Sequence, residues 1–150
     1  ERADAGRARV LIAPHLALYD LTDVFLLGTS GWNSTQLVEE AGAYVQGSVF
    51  VDGFFSESGM DHVRAFVTRF ERDFQREPRV LEAQAYDSLL LLEEAYEKAV
   101  PRTREGVRDA LAQLPGYAGL SGYTRFDEQG CARKRLYLLS IVDSRIEEIF

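Results

Sequence analysis

The chain has 150 residues, 17 Lys and Arg against 24 Asp and Glu, a net charge of −7, and 46% hydrophobic and 11% aromatic residues. That balance excludes the clustered basic footprint of a nucleic-acid binder and is too apolar for intrinsic disorder. No apolar run approaches ~20 residues, so no transmembrane segment is expected, and the length suits about one domain.

In chain order, residues 4–18 read as a helix, with Ala8, Leu11, Ile12, Leu16 and Tyr19 at three- and four-residue steps and Pro14 predicting a kink. Val24-Phe25-Leu26-Leu27, ending at Gly28, has the continuous apolar character of a strand buried on both faces. Thr29 to Asn33 forms a turn, and Ser34 is placed to cap a helix from Thr35 to about Gly42. Ser48-Val49-Phe50-Val51 reads as a second buried strand, entered through Gly47 and left through Asp52-Gly53. Strand, helix and strand at this spacing make a βαβ unit, which requires parallel pairing.

Residues 60–75 follow as an amphipathic helix with Val63, Phe66, Val67, Phe70 and Phe74 in one stripe, stopping near Glu77 because Pro78 follows. A longer helix is predicted from Glu82 to Val100, deeply packed through Leu89–Leu92 and ended by Pro101. Thr103 can cap a third helix over 104–114, with Val107, Ala110, Leu111 and Leu114 inward. After the glycine-rich stretch 116–122, Tyr123–Phe126 alternates like a half-buried strand. Asp127–Gly130 is a turn, and 135–142 is predicted as a strand paired back on it, before a short edge segment at 146–150.

The chemistry-bearing residues are sparse. His15 and His62 lie on separate elements without a metal-ligand partner at helical spacing, and Cys131 is alone, so no metal site, disulfide or cofactor is expected. Adjacent acids such as Glu39-Glu40, Glu93-Glu94 and Glu147-Glu148 point about 100° apart on a helix and suit solvated faces. No nucleophile elbow, Walker loop or dinucleotide fingerprint is present, which argues against an enzyme. The segment Gly28-Thr29-Ser30-Gly31-Trp32-Asn33 stands apart, because it follows the carboxyl end of a parallel strand, where α/β sheets bind ligands. Small polar side chains, approachable backbone and the Trp32 wall suit a solute. A tight turn whose tryptophan packs on its neighbours is the other reading.

Four stretches in order, Val24–Gly31, Gly47–Val51, Phe66–Pro78 continuing into Ala85-Tyr86-Asp87-Ser88, and Gly119–Gly130, give the chain a family character. The last is a G-x-x-G-x-x-x-F-D-x-x-G hairpin. Together they resemble the C-terminal part of the type I periplasmic solute-binding proteins, which include the branched-chain amino-acid receptors. The resemblance implies an α/β fold, a Rossmann-like parallel sheet flanked by helices, as the C-terminal part of two lobes that close on a ligand. It divides the chain at about residues 1–45 (second-lobe edge), 46–126 (mostly first lobe) and 127–150 (returning strands).

Carried over residue by residue, Ser30 and Gly31 would line the ligand cleft, with Tyr86 towards the hinge, and the local reading of the loop adds Thr29, Trp32 and Asn33 as candidate ligand contacts. Amino-acid receptors often place an acid for the ligand ammonium at the position of Ser30, and this loop has none. The resemblance implies an extracytoplasmic, non-enzymatic protein. It would bind a small polar solute (an amino acid, amide or similar) between the lobes and pass it to the permease of an ABC-type transporter. A second branch of the superfamily, outer-membrane lipoproteins that activate penicillin-binding proteins, is suggested by the proline-containing stretch Ala8–Pro14. It would imply a cell-wall synthase as partner. Residues 1–6 have no signal-peptide character, so a periplasmic or outer-surface location requires a signal outside this sequence.

Overall fold

The computed structural model describes residues 15, 18–21 and 24–149. The predicted helix over 4–18, with the Pro14 kink, therefore lies almost wholly outside the described residues. In chain order the elements are β1 (Leu27–Gly28), α1 (Thr35–Ala41), β2 (Val49–Asp52), α2 (Asp61–Phe74), α3 (Val80–Lys98), α4 (Arg104–Ala112), β3 (Tyr117–Gly119), β4 (Gly122–Phe126), β5 (Ala132–Lys134), β6 (Tyr137–Val142) and β7 (Arg145–Glu148). Short 3-10 turns occupy Ser30–Trp32 and Gly42–Tyr44. The chain divides into two compact units, Glu1–Asp52 with Tyr137–Phe150, and Gly53–Leu136.

The first unit holds a four-stranded sheet in the order β1-β2-β6-β7. β1 and β2 pair in parallel, Leu27 with Val49 and Gly28 with Phe50, as the βαβ pattern requires. β6 lies antiparallel to β2, and β7 antiparallel to β6. Phe50, Leu139 and Ile141 are fully buried, and Leu37, Ala41 and Val45 supply the apolar core from α1 and the turn after it. Ser34 stands at the N-cap of α1, but its side chain makes no capping bond.

The Val24–Leu27 run is not a strand buried on both faces. Only Leu27 and Gly28 pair, and Phe25 and Leu27 are 79% and 74% exposed. β1 is an edge strand among the described residues, with a neighbour on one side only. The opposite edge is of a different kind: β7 carries Arg145, Glu147 and Glu148, charges that discourage further strand pairing.

In the second unit, Phe54, Val63, Ala83 and Leu120 form the buried core, with Phe66, Val67 and Val80 packed against it. Phe66, Phe70 and Phe74 continue as a ladder of rings along α2, at 5.7 and 4.5 Å between centroids. α2 ends before the predicted stop. Gln75 turns left-handed (φ 54°) and its N–H closes on the Glu71 carbonyl at 2.8 Å, so a local cap ends the helix ahead of Pro78. At the start of α3, the Arg79 N–H donates to the Glu82 carboxylate. The hydrogen bond from Arg76, with help from that backbone donor, holds the Glu82 carboxyl below the usual range against the opposing effect of desolvation.

α3 is less enclosed than its composition suggests. Its buried residues, Ala83, Asp87, Leu91 and Ala95, recur every four residues on one face, whereas Leu89 and Leu92 are 65% and 49% exposed. The Thr103 hydroxyl accepts from the Gly106 N–H and caps α4 as predicted.

The last part of this unit is a three-stranded antiparallel sheet, β3-β4-β5. The pairing predicted between 123–126 and 135–142 does not form: β4 pairs with β3 and β5, and β6 pairs with β2 and β7. Leu139 and Ile141 are completely buried in the first unit, a requirement that a two-stranded hairpin could not meet.

One side chain ties the second unit's sheet to its helices. The buried Asp87 carboxylate accepts from the Leu120 and Ser121 N–H groups, both at 2.8 Å, and from the Ser121 hydroxyl at 2.5 Å. Gly119 is needed beside it, since a Cβ there would stand 2.5 Å from the carboxylate. Lys134 Nζ donates to Ser121 Oγ and Thr124 Oγ1. Burial lowers the pKa of this ammonium, and the Asp87 charge partly opposes that.

Two substitutions test this account of the two cores. Asp87→Ala strands three buried donors and should lower the unfolding free energy by roughly 3 kcal/mol, read as a lower urea midpoint. In the first unit, the Ser48 hydroxyl is buried and, among the described residues, has no hydrogen-bond partner. Ser48→Ala should therefore leave the midpoint unchanged or raise it, by up to about 1 kcal/mol.

Candidate functional site

Parallel strands end on the same side of their sheet, so the carboxyl ends of β1 and β2 lie side by side. The loop from Thr29 to Asn33 leaves β1 at that edge as a 3-10 turn, closed by bonds from the Trp32 N–H to the Thr29 carbonyl (2.8 Å) and from the Asn33 N–H to the Ser30 carbonyl (3.2 Å). Thr29 and Ser30 are exposed, and Gly31, Trp32 and Asn33 are half-buried.

Trp32 folds back over the strand it follows. Its ring lies so close to Gly28 that a Cβ there would meet it at 2.5 Å, and it sits 6.4 Å from the Phe50 ring at a 38° tilt. The two readings of this residue are thus compatible: it packs on the strand pair, and in doing so fixes the loop's polar residues at the sheet edge.

Asn33 is anchored differently. Its Nδ2 donates to the Asp52 carboxylate at 2.9 Å. Asp52 is the last residue of β2 and is buried, 7% exposed. In the sequence, Asp52-Gly53 reads only as a strand exit. The available signal was its place: an acid ending the second of two parallel strands must lie next to the loop that ends the first.

Thr29, Ser30, Gly31, Trp32 and Asn33 are therefore together, joined by Asp52. Tyr86 belongs to the second unit, on α3, where its half-open ring packs 5.0 Å from Phe66. Nearby in that unit, burial raises the Tyr117 phenol pKa, followed by the charge of Asp87 and by Tyr86 and Glu94. His15, His62 and Cys131 are exposed, and among the described residues no three His, Cys, Asp or Glu side chains group to hold a metal ion. No described helix is long and apolar enough to cross a membrane.

A family model described as periplasmic binding protein matches residues 3–145. The chain belongs to this family. Among solved structures, a Rhodospirillum rubrum protein assigned to branched-chain amino acid ABC transport superposes with a TM-score of 0.82 at 30% identity, over 92% of this chain and 41% of that one. A leucine-binding protein of Thermotoga maritima gives 0.69 at 23% identity, over 97% of this chain and 41% of that one. A solute-binding protein of R. palustris in complex with benzoate gives 0.64 at 20%, over 94% and 39%. The periplasmic binding protein chain thus spans about two fifths of the length of these structures. None of the curated proteins matches it.

The seat of Trp32 on Gly28 gives a direct test. Gly28→Ala should force the ring off the strand, lowering the melting midpoint and red-shifting the emission of Trp32, the one tryptophan of the sequence. An unchanged emission spectrum would show that the ring is not held there.

Proposed function

We propose that this periplasmic binding protein chain is the C-terminal portion of a two-lobed extracytoplasmic receptor for a small polar solute, an amino acid, amide or similar, serving an ABC-type transporter without catalysing a reaction. The observation that carries the reading is the loop Thr29–Asn33, polar, approachable and fixed at the carboxyl edge of a parallel strand pair, in a chain of this family. Its relatives include proteins named for leucine binding and solved with isoleucine or benzoate, all of them small solutes with a carboxylate. This reading keeps the division at about residues 1–45, 46–126 and 127–150, and takes Tyr86 as a further ligand contact.

The exposed apolar face of α3, with Leu81, Leu89, Leu92 and Tyr96 at helical spacing, supports a larger whole in which that face is covered. The span of about two fifths of the related structures supports the same reading. No observation favours the alternative of a cell-wall synthase activator.

The experiment is calorimetric titration of the intact protein with leucine, isoleucine and benzoate. At least one is expected to bind, and Ser30→Ala or Trp32→Ala should weaken it by about tenfold, which corresponds to roughly 1.4 kcal/mol. Binding of none of them, or binding indifferent to both substitutions, would overturn the reading.

A further inference from the structure

Arginines gather on one face of the β3-β4-β5 sheet, in a chain whose net charge is −7. Alternate residues of a strand share a face. Thr124 is buried and Lys134 half-buried, so Tyr123, Arg125, Arg133 and Arg135, all exposed, take the opposite face. Arg125 stands directly across from Arg133 in the register of β4 and β5. We propose that Arg125 and Arg133 form a binding site for a phosphate-type dianion, made from residues of the second unit alone.

Arg133 is held in a way that presents it. Its Nε donates to the Asp127 carboxylate at 2.7 Å, and its terminal nitrogens have no hydrogen-bond partner among the described residues. Asp127 is itself pinned, its other oxygen accepting from the Cys131 and Gln129 N–H groups at 2.8 and 3.1 Å. The Cys131 N–H, and after it Arg133, hold that carboxyl below the usual range against the opposing effect of desolvation. A guanidinium held by its Nε keeps its two-pronged end available, and that end matches a phosphate bidentately. Arg125 has no acidic partner among the described residues. Facing residues have Cβ atoms about 5 Å apart, so both guanidiniums can reach one anion. Two such forks, with two positive charges, exceed what a single carboxylate can occupy and suit a tetrahedral dianion.

Like charges that face each other cost a sheet stability, and an anion between them removes that cost. Charge on an edge strand deters pairing with another sheet, which accounts for Arg133 on β5. It does not account for Arg125. β4 is the middle strand, with β3 and β5 on its two sides, and has no edge to protect. Arg135, whose N–H donates to the Tyr123 carbonyl at 2.9 Å, continues the same row and adds to the positive field. Against these three cations the hairpin sets Asp127, already paired, and Glu128 in the turn.

The test follows the arginine Nε–H signals of the intact protein by NMR, while sodium phosphate, sulfate or acetate is added at constant ionic strength. The Arg125 and Arg133 signals are expected to shift to saturation with phosphate and sulfate, and about tenfold more weakly with acetate. Arg125→Gln or Arg133→Gln should weaken the phosphate titration by about fivefold. Arg108→Gln, on α4, should leave it unchanged. Vesicles of phosphatidic acid in phosphatidylcholine, beside phosphatidylcholine alone, separate a lipid headgroup from a soluble phosphate compound. Vesicle binding lost in both variants assigns the lipid, and no vesicle binding with an intact phosphate titration assigns the soluble compound. A shift that does not saturate, an equal response to acetate, or indifference to both substitutions overturns the proposal. Leucine, isoleucine and benzoate are expected to titrate alike in the native protein and both variants, so failure of this site leaves the solute-binding reading standing.

Discussion

Parallel pairing of β1 with β2 is the constraint on which the site depends. Two strands that run the same way must deliver their next residues to the same edge, whatever those residues are. The Thr29–Asn33 loop and Asp52, 19 positions apart between Asn33 and the acid, become neighbours for that reason alone. Several details are added to this geometry: Gly28 leaves room for the Trp32 ring, the 3-10 turn brings Asn33 round, and the Asp52 carboxylate accepts a hydrogen bond from it.

The same device recurs in the second unit with a different purpose. There a buried carboxylate, Asp87, gathers two backbone N–H groups and a hydroxyl from the turn between β3 and β4. Its oxygens meet donors that folding would otherwise leave without water, so removing it costs more than the bonds themselves are worth. Asp52 differs in that it accepts from a side-chain amide, that of Asn33. Asp87 fixes backbone and Asp52 fixes a functional group, and the difference lies in the donor rather than in the acid.

Much of this architecture was legible in the sequence because it is written in local patterns. The βαβ unit, the Thr103 cap, the Asp127–Gly130 turn and the helices over residues 61–74 and 80–98 each follow from residue types at short spacing. The sequence patterns also placed Thr29–Asn33 at a strand end. The misses share a physical cause. Whether Val24–Leu27 or Leu89–Leu92 is covered depends on what packs against it, and an apolar run looks the same at an edge as in a core. The partner of residues 137–142 is not the nearest strand in sequence, because Leu139 and Ile141 are buried in the unit built around β2. The contact of Asp52 with Asn33 is not written locally, since it spans 19 residues.

An acid placed behind the loop has a different effect from one placed in it. A carboxylate on the loop would meet a solute directly and would have to shed water each time the site emptied and filled. At Asp52 the carboxylate is already buried and paired, so the cost of removing it from water is met in folding and does not recur on binding.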